Sequence, residues 1–144
     1  MAADVSRRFT GKCGCGDIEI AFDGDPINAV FCYCTDCQTD TGSDKWFGLW
    51  VANDNLTFTT GEPETFTRKG SSGMPVHKKF CGKCGTTLCS DFTAGGFYSV
   101  AASVLDQKNE FSPTMAIYTA SAPDWAVYPD GVPKFDTFPS SQSD

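Results

Sequence analysis

The chain has 144 residues, a formal net charge of −7, and is 40% hydrophobic and 20% charged. That length suits one domain with a real hydrophobic core. The acidic balance argues against a nucleic-acid backbone or an anionic membrane surface as partner, and no stretch approaches the roughly 20 apolar residues of a membrane span.

The N-terminal stretch MAADVSRRFTGKCGCG lacks the apolar run of a secretion signal. A reducing, cytoplasmic setting is therefore expected. Eight cysteines in such a setting read as metal ligands before they read as disulfides. The rival is a secreted disulfide scaffold whose signal has been removed.

In chain order, most predicted elements are strands. DIEIAF (17–22) alternates apolar and polar residues and is broken by DGDP. INAVF (27–31) runs straight into a cysteine cluster. QTDTGSD, after Cys37, is able to hold a helical turn before its Gly-Ser stop. KWFGLWV (45–51) is aromatic and β-branched, and the turn ANDN follows it. LTFTT and ETFTRK flank GEP, which reads as a hairpin with an open turn. VHKKF (76–80) leads into CGKCG, a tight glycine-rich knuckle. TLCSDF, FYSVAASV and TMAIYTA are further strand candidates, FYSVAASV being equally readable as a helix. The tail SSQSD is expected to be disordered. Short strands with regular turn signals predict an all-β sandwich or barrel-like single domain with no long amphipathic helix.

The cysteines form two pairs, a triplet and a singleton: Cys13/Cys15, Cys81/Cys84, Cys32/Cys34/Cys37 and Cys89. Pairs spaced C-x-C or C-x-x-C present two thiolates to one ion. Cys13-Gly-Cys15-Gly and Cys81-Gly-Lys-Cys84-Gly are both glycine-laced, and glycine lets backbone N–H groups turn toward a metal-bound sulfur. Together they make a closed four-thiolate site, tying the N-terminal strand to the middle of the chain. Cys32, Cys34 and Cys37 then form a three-thiolate site whose fourth position is open, the mark of a catalytic or ligand-exchange centre. Two bland alternatives stand beside this. One pair is incidental, or Cys89 or His77 completes the second tetrahedron. A lone strand cysteine is most often a small buried hydrophobe, and a lone strand histidine is more often a hydrogen-bonded residue than a ligand.

The motifs GKCGCGDIEI, CYCTDC followed by TGS, and FCGKCGTTL resemble the glutathione-dependent formaldehyde-activating enzyme family, which also includes centromere protein V. The segment from SVLDQ to VPKF, with its Asp-Gly-x-Pro, is similar to the family's closing segment, so the resemblance runs over about residues 9–138. It implies a β-tent of two or three packed antiparallel sheets round a structural zinc. It also implies that Cys13, Cys15, Cys81 and Cys84 hold that zinc, and that Cys32, Cys34 and Cys37 hold a second, looser one. By similarity to the family's founding enzyme, the resemblance implies that this second zinc takes a thiol such as glutathione as fourth ligand for addition to formaldehyde or another small aldehyde. Two departures are visible. Tyr33 stands where members often carry histidine between the first two cysteines of the triplet, and HKKFC stands where an arginine is common.

Three functions follow as expectations. The first is a carbon–sulfur lyase-type zinc enzyme acting on a small thiol and an aldehyde, with Lys45, Arg68, Lys69, Lys78 and Lys79 as candidate cations for an anionic thiol. The second is a zinc hydrolase using bound water on an imine or ester, with Asp36, Asp40 or Asp44 as base. Each of these carboxylates also reads as a turn or capping residue. The third is a non-enzymatic zinc-stabilised binding module. Trp46 and Trp50 should face one side of their strand and Phe47 the other, as core or pocket wall.

Overall fold

A computed structural model describes residues 7–139. The expected SSQSD tail lies outside these residues. Ten strands run in the order β1 (Arg8–Lys12), β2 (Glu19–Asp23), β3 (Asn28–Cys32), β4 (Trp46–Ala52), β5 (Leu56–Thr60), β6 (Glu64–Lys69), β7 (Pro75–Phe80), β8 (Thr87–Phe92), β9 (Phe97–Ala101) and β10 (Met115–Ile117). One α-helix among the described residues, α1 (Thr35–Thr41), follows β3. The fold is mainly β, as the turn and strand pattern predicted.

The strands divide into a three-stranded sheet, β1-β2-β5, and a seven-stranded sheet, β10-β3-β4-β9-β8-β7-β6. Neighbours pair antiparallel except at the edge, where β10 runs parallel to β3. One apolar core joins the sheets. Phe9, Ile20 and Phe22 from the small sheet meet Leu49, Leu88 and Val100 from the large one. Burying each such side chain contributes about 1.5–3 kcal/mol. A second cluster, Val30, Trp50, Phe97, Met115 and Ile117, lies on the large sheet's other side. Strand β4 serves both: Leu49 and Val51 enter the first cluster and Trp50 the second. This is the two-residue alternation that the sequence predicted for this strand.

The expected LTFTT–ETFTRK hairpin does not form. Strand β5 pairs with β2, and β6 pairs with β7 in the other sheet. Burial decides this. Leu56 and Phe58 of β5 pack against the first core, whereas β6 is exposed along most of its length. Pro63, between them, also lacks the N–H that a hairpin ladder would use. GEP is thus a crossing between sheets. FYSVAASV divides into β9 and a 3₁₀ turn, Ala102–Val104.

Candidate metal centre and active site

The first cysteine group is assembled from two knuckles 66 positions apart. In one, Cys13 N–H donates to Ile18 O at 3.0 Å and Gly16 N–H to Cys13 O at 3.0 Å. In the other, Cys81 N–H donates to Thr86 O at 2.9 Å and Gly85 N–H to Cys81 O at 2.8 Å. Each turn closes at a left-handed glycine, Gly16 at φ 81° and Gly85 at φ 79°, a conformation that costs a residue with a Cβ. The sulfurs of Cys13, Cys15, Cys81 and Cys84 all lie within 4.8 Å of one another. Cys13 and Cys15 are 3.7 Å apart, and Cys15 and Cys81 are 3.8 Å apart. A tetrahedron with metal–sulfur bonds near 2.3 Å has edges of about 3.8 Å, so the donor set fits one ion. Backbone N–H groups already face the sulfurs, Ile18 to Cys13 at 3.3 Å and Lys83 to Cys81 at 3.4 Å. Such donors stabilise bound thiolates. The Thr86 hydroxyl and backbone bring the Cys84 thiol down to about 5.

The second group sits where β3 passes into α1. Cys34 is the helix N-cap, and its sulfur accepts from Cys37 N–H at 3.3 Å. The helix stops one residue later than Thr41, at Gly42, whose N–H returns to Gln38 O at 2.9 Å. One turn of helix thereby turns Cys34 and Cys37 toward Cys32, and the three sulfurs lie within 4.8 Å of one another. The three sulfurs are close enough to shift one another's ionisation. Hydrogen bonds from Cys32 and Cys37, then Cys37 N–H and the Arg68 charge, bring Cys34 down to about 3. The same contact with Cys34 pushes Cys32 up to about 12, and Cys37 is raised too. Three crowded sulfurs that cannot all ionise alone are what a soft cation relieves. His77 and Cys89 belong to neither group. His77 Nδ1 lies 2.8 Å from Thr67 Oγ1 across the β6–β7 pair, and Cys89 is fully buried in the first core.

Cys32, Cys34 and Cys37 form one wall of a cavity of about 450 Å³. None of the other group's four cysteines lines it. Trp46 and Trp50 face it from β4, as expected, and Phe47 packs on the opposite side against the first core. Trp46 Nε1 donates to Ser99 Oγ at 3.0 Å. A methyl at Gly48 would fall 2.0 Å from that hydroxyl, so this β4 position has no room for a side chain. Four rings stack along one side of the cavity. Phe138 lies on Trp50 at 5.5 Å, Trp50 on Phe97 at 4.6 Å, and Phe97 on Phe92 at 5.5 Å.

The charged candidates are mostly spoken for. Arg68 is in the wall and pairs with Asp36 at 3.1 Å. Lys78 pairs with Asp40 at 2.9 Å in an adjoining hollow. Lys45 pairs with Asp44 at 2.9 Å and lies over the Phe31 and Tyr33 rings. Lys79 reaches Thr65 at 2.9 Å, and Lys69 is exposed outside the cavity lining. Tyr33 does not replace the histidine's polar group at the site. It is fully buried, donates to Val127 O at 2.6 Å and packs on Tyr128. Burial, with Asp44 beside it, pushes its phenol up to about 12.

Sequence reasoning missed Tyr118 and Ser71. Both line the cavity, and their hydroxyls are 2.5 Å apart. Tyr118 has φ 57°, the one non-glycine residue with positive φ among those described. A bulky residue held there carries strain of about 1–3 kcal/mol. Nothing in TMAIYTA signals it. Tyr118 stands between the Ile117–Cys32 pairing and the 3₁₀ turn Thr119–Ser121, which begins at once.

A sequence profile described as glutathione-dependent formaldehyde-activating enzyme matches residues 8–121, a span that holds all eight cysteines. It ends before the Asp-Gly-x-Pro segment. Among solved structures, a Rhodobacter sphaeroides protein superposes with a TM-score of 0.54 at 17% identity, covering 87% of this chain and 98% of that one. That likeness is one of fold. No curated protein matches the chain significantly. The profile covers most of the chain and contains both cysteine groups that the structure assembles, and the protein belongs to the family of glutathione-dependent formaldehyde-activating enzymes.

Proposed function

We propose that this protein is a zinc-dependent enzyme of the carbon–sulfur lyase type that joins a small thiol to an aldehyde. In this reading Cys13, Cys15, Cys81 and Cys84 hold a structural zinc, and Cys32, Cys34 and Cys37 hold a second. The observation that carries it is the difference in setting. Four sulfurs complete one donor set away from the cavity, and three sulfurs form an incomplete set in the cavity wall.

Zinc bound by three thiolates would take a thiol sulfur as its fourth ligand and keep it ionised at neutral pH. The chain's own residues supply the rest. The Trp46 and Trp50 faces line the cavity with apolar surface, which would limit water at the sulfur and the aldehyde carbon. A C–S bond forms as the C=O π pair moves to oxygen. The thiol's proton leaves to solvent, and the new alkoxide takes a proton back, so no oxidant or reductant is required. Tyr118 Oη, held by Ser71 in the same wall, is the hydroxyl available to give that proton.

The hydrolytic reading needs a free general base. Asp36, Asp40 and Asp44 are each engaged by a cation, which favours addition over hydrolysis. Aldehyde consumption by the zinc-loaded protein, measured with and without added thiol, is the test. Loss of the aldehyde only when thiol is present is expected. Equal rates in both conditions would overturn the thiol reading.

A further inference from the structure

Glutathione carries two carboxylates and an ammonium. A site built for it should offer cations with charge to spare. Among the described residues lining the cavity, the charged side chains besides the cysteines are Asp36 and Arg68, and they neutralise each other at 3.1 Å. In the adjoining hollow the further cation, Lys78, is matched by Asp40 at 2.9 Å. The cations proposed from sequence as a clamp are therefore paired or outside the cavity.

The remaining polar groups of the wall point the same way. Ser99 holds Trp46, Ser71 holds Tyr118, Ser72 accepts from Met74 N–H at 3.2 Å, and Thr93 donates to Pro75 O at 2.7 Å. What faces the cavity is mainly ring and methyl surface: Trp46, Trp50, Phe92, Phe97, Ile117 and Phe138. Charged groups lowered into such a wall lose water and gain no partner. A flat apolar ring loses water to advantage and adds to the stack that Phe138, Trp50, Phe97 and Phe92 already make. The end ring, Phe138, is 45% exposed, so it borders the cavity opening and solvent together.

We infer that the cavity selects a neutral, ring-bearing substrate body, carried on the thiol that approaches Cys32, Cys34 and Cys37, in preference to glutathione. The inference rests on the thiol reading above for the position of the sulfur. It rests on the wall alone for the nature of the body.

Trp46 and Trp50 make the test direct, because both are in the wall. Trp125, the third tryptophan, is exposed, and Trp125→Phe removes its background. The zinc-loaded Trp125→Phe protein is titrated with 2-phenylethanethiol, 2-phenylethanol and glutathione while tryptophan emission is followed. Saturable quenching by the aromatic thiol is expected, with half-saturation at least tenfold below that of glutathione. Adding Phe138→Ala should weaken the aromatic thiol several-fold and leave glutathione unchanged. Glutathione binding as tightly as the aromatic thiol would overturn the inference and leave the thiol reading standing. The alcohol binding as tightly as the thiol would support the apolar cavity and remove the thiol reading.

Discussion

The sulfurs of Cys15 and Cys81 lie 3.8 Å apart although 66 positions separate them in sequence. Closing so long a segment costs chain entropy, and a structural metal site offsets it because its binding energy is folding energy. Cys84→Ser takes one sulfur from this set. The variant should lose roughly 4 kcal/mol of stability, a fall of about 12 °C in Tm. Thermal melts with metal analysis check this. A melt within a degree or two of the parent would mean the four-sulfur group does not staple the fold.

Cys34→Ser should behave in the opposite way. Its group spans six residues, so a metal there closes almost no chain entropy. Serine is also a good N-cap, and its hydroxyl can accept from Cys37 N–H as the sulfur does. The variant should melt within about 1 kcal/mol of the parent, bind one zinc ion fewer and lose thiol-dependent turnover. A mild chelator should likewise remove this ion first and leave the fold intact. If Cys34→Ser melts far below Cys84→Ser, the closed and open sites are assigned the wrong way round.

The two cysteine pairs and the triplet were legible in sequence because the geometry within each is local, whereas the joining of Cys13/Cys15 to Cys81/Cys84 is a long-range contact that spacing alone does not state. C-x-C and C-x-x-C fix which sulfurs can share an ion before any tertiary contact is known. The alternation in KWFGLWV was legible for a similar reason: two-residue periodicity decides that Trp46 and Trp50 share a face. The GEP turn was misread because strand partners are chosen by burial. Leu56 and Phe58 reach the core only beside β2, and no local pattern states that. Tyr118 was invisible because a tyrosine carries no local signal for positive φ, and its place at the end of β10 depends on a long-range pairing with β3. The apolar character of the cavity could not be read either, since its wall comes from all seven strands of the large sheet and their connections.

Asp44 illustrates a residue that looked like a base and is an anchor. It is 5% exposed, and its carboxylate accepts from Lys45 Nζ at 2.9 Å, Ser43 Oγ at 3.2 Å and Val127 N–H at 3.0 Å. Burial works to raise its pKa, but the Lys45 and Val127 hydrogen bonds outweigh that and hold it below the usual carboxylate value. Because the folded pKa is depressed, the native state binds this proton less readily than the unfolded chain does. The stabilisation is complete above the unfolded pKa of about 3.9 and is lost as pH falls below it toward the folded value. Asp44→Asn should therefore cost about 1–3 kcal/mol at pH 7, and the gap to the parent should narrow below about pH 4. Urea denaturation of both proteins across this range measures it. Acid release of metal affects both alike and cancels in the difference. A gap that stays constant from pH 7 to pH 3 would show that the charge on Asp44 is not what matters.

Tyr118→Phe separates chemistry from structure at the strained position. The substitution keeps the ring in the wall and the backbone at φ 57°, and removes only the hydroxyl that meets Ser71 at 2.5 Å. One such hydrogen bond is worth about 0.5–1.5 kcal/mol, so the melt should move only a few degrees. If Tyr118 Oη supplies the proton to the new alkoxide, turnover should fall by roughly 10²–10⁴-fold. Thiol binding, read by tryptophan quenching, should be nearly unchanged, because the sulfur and ring contacts survive. The loss should thus fall on kcat and leave KM close to the parent's. Ser71→Ala provides the comparison. It breaks the same hydrogen bond but leaves the phenol in place, so it should lose far less turnover than Tyr118→Phe. Equal losses in the two variants would mean that the pair merely holds the β6–β7 loop against β10, and that the proton comes from water.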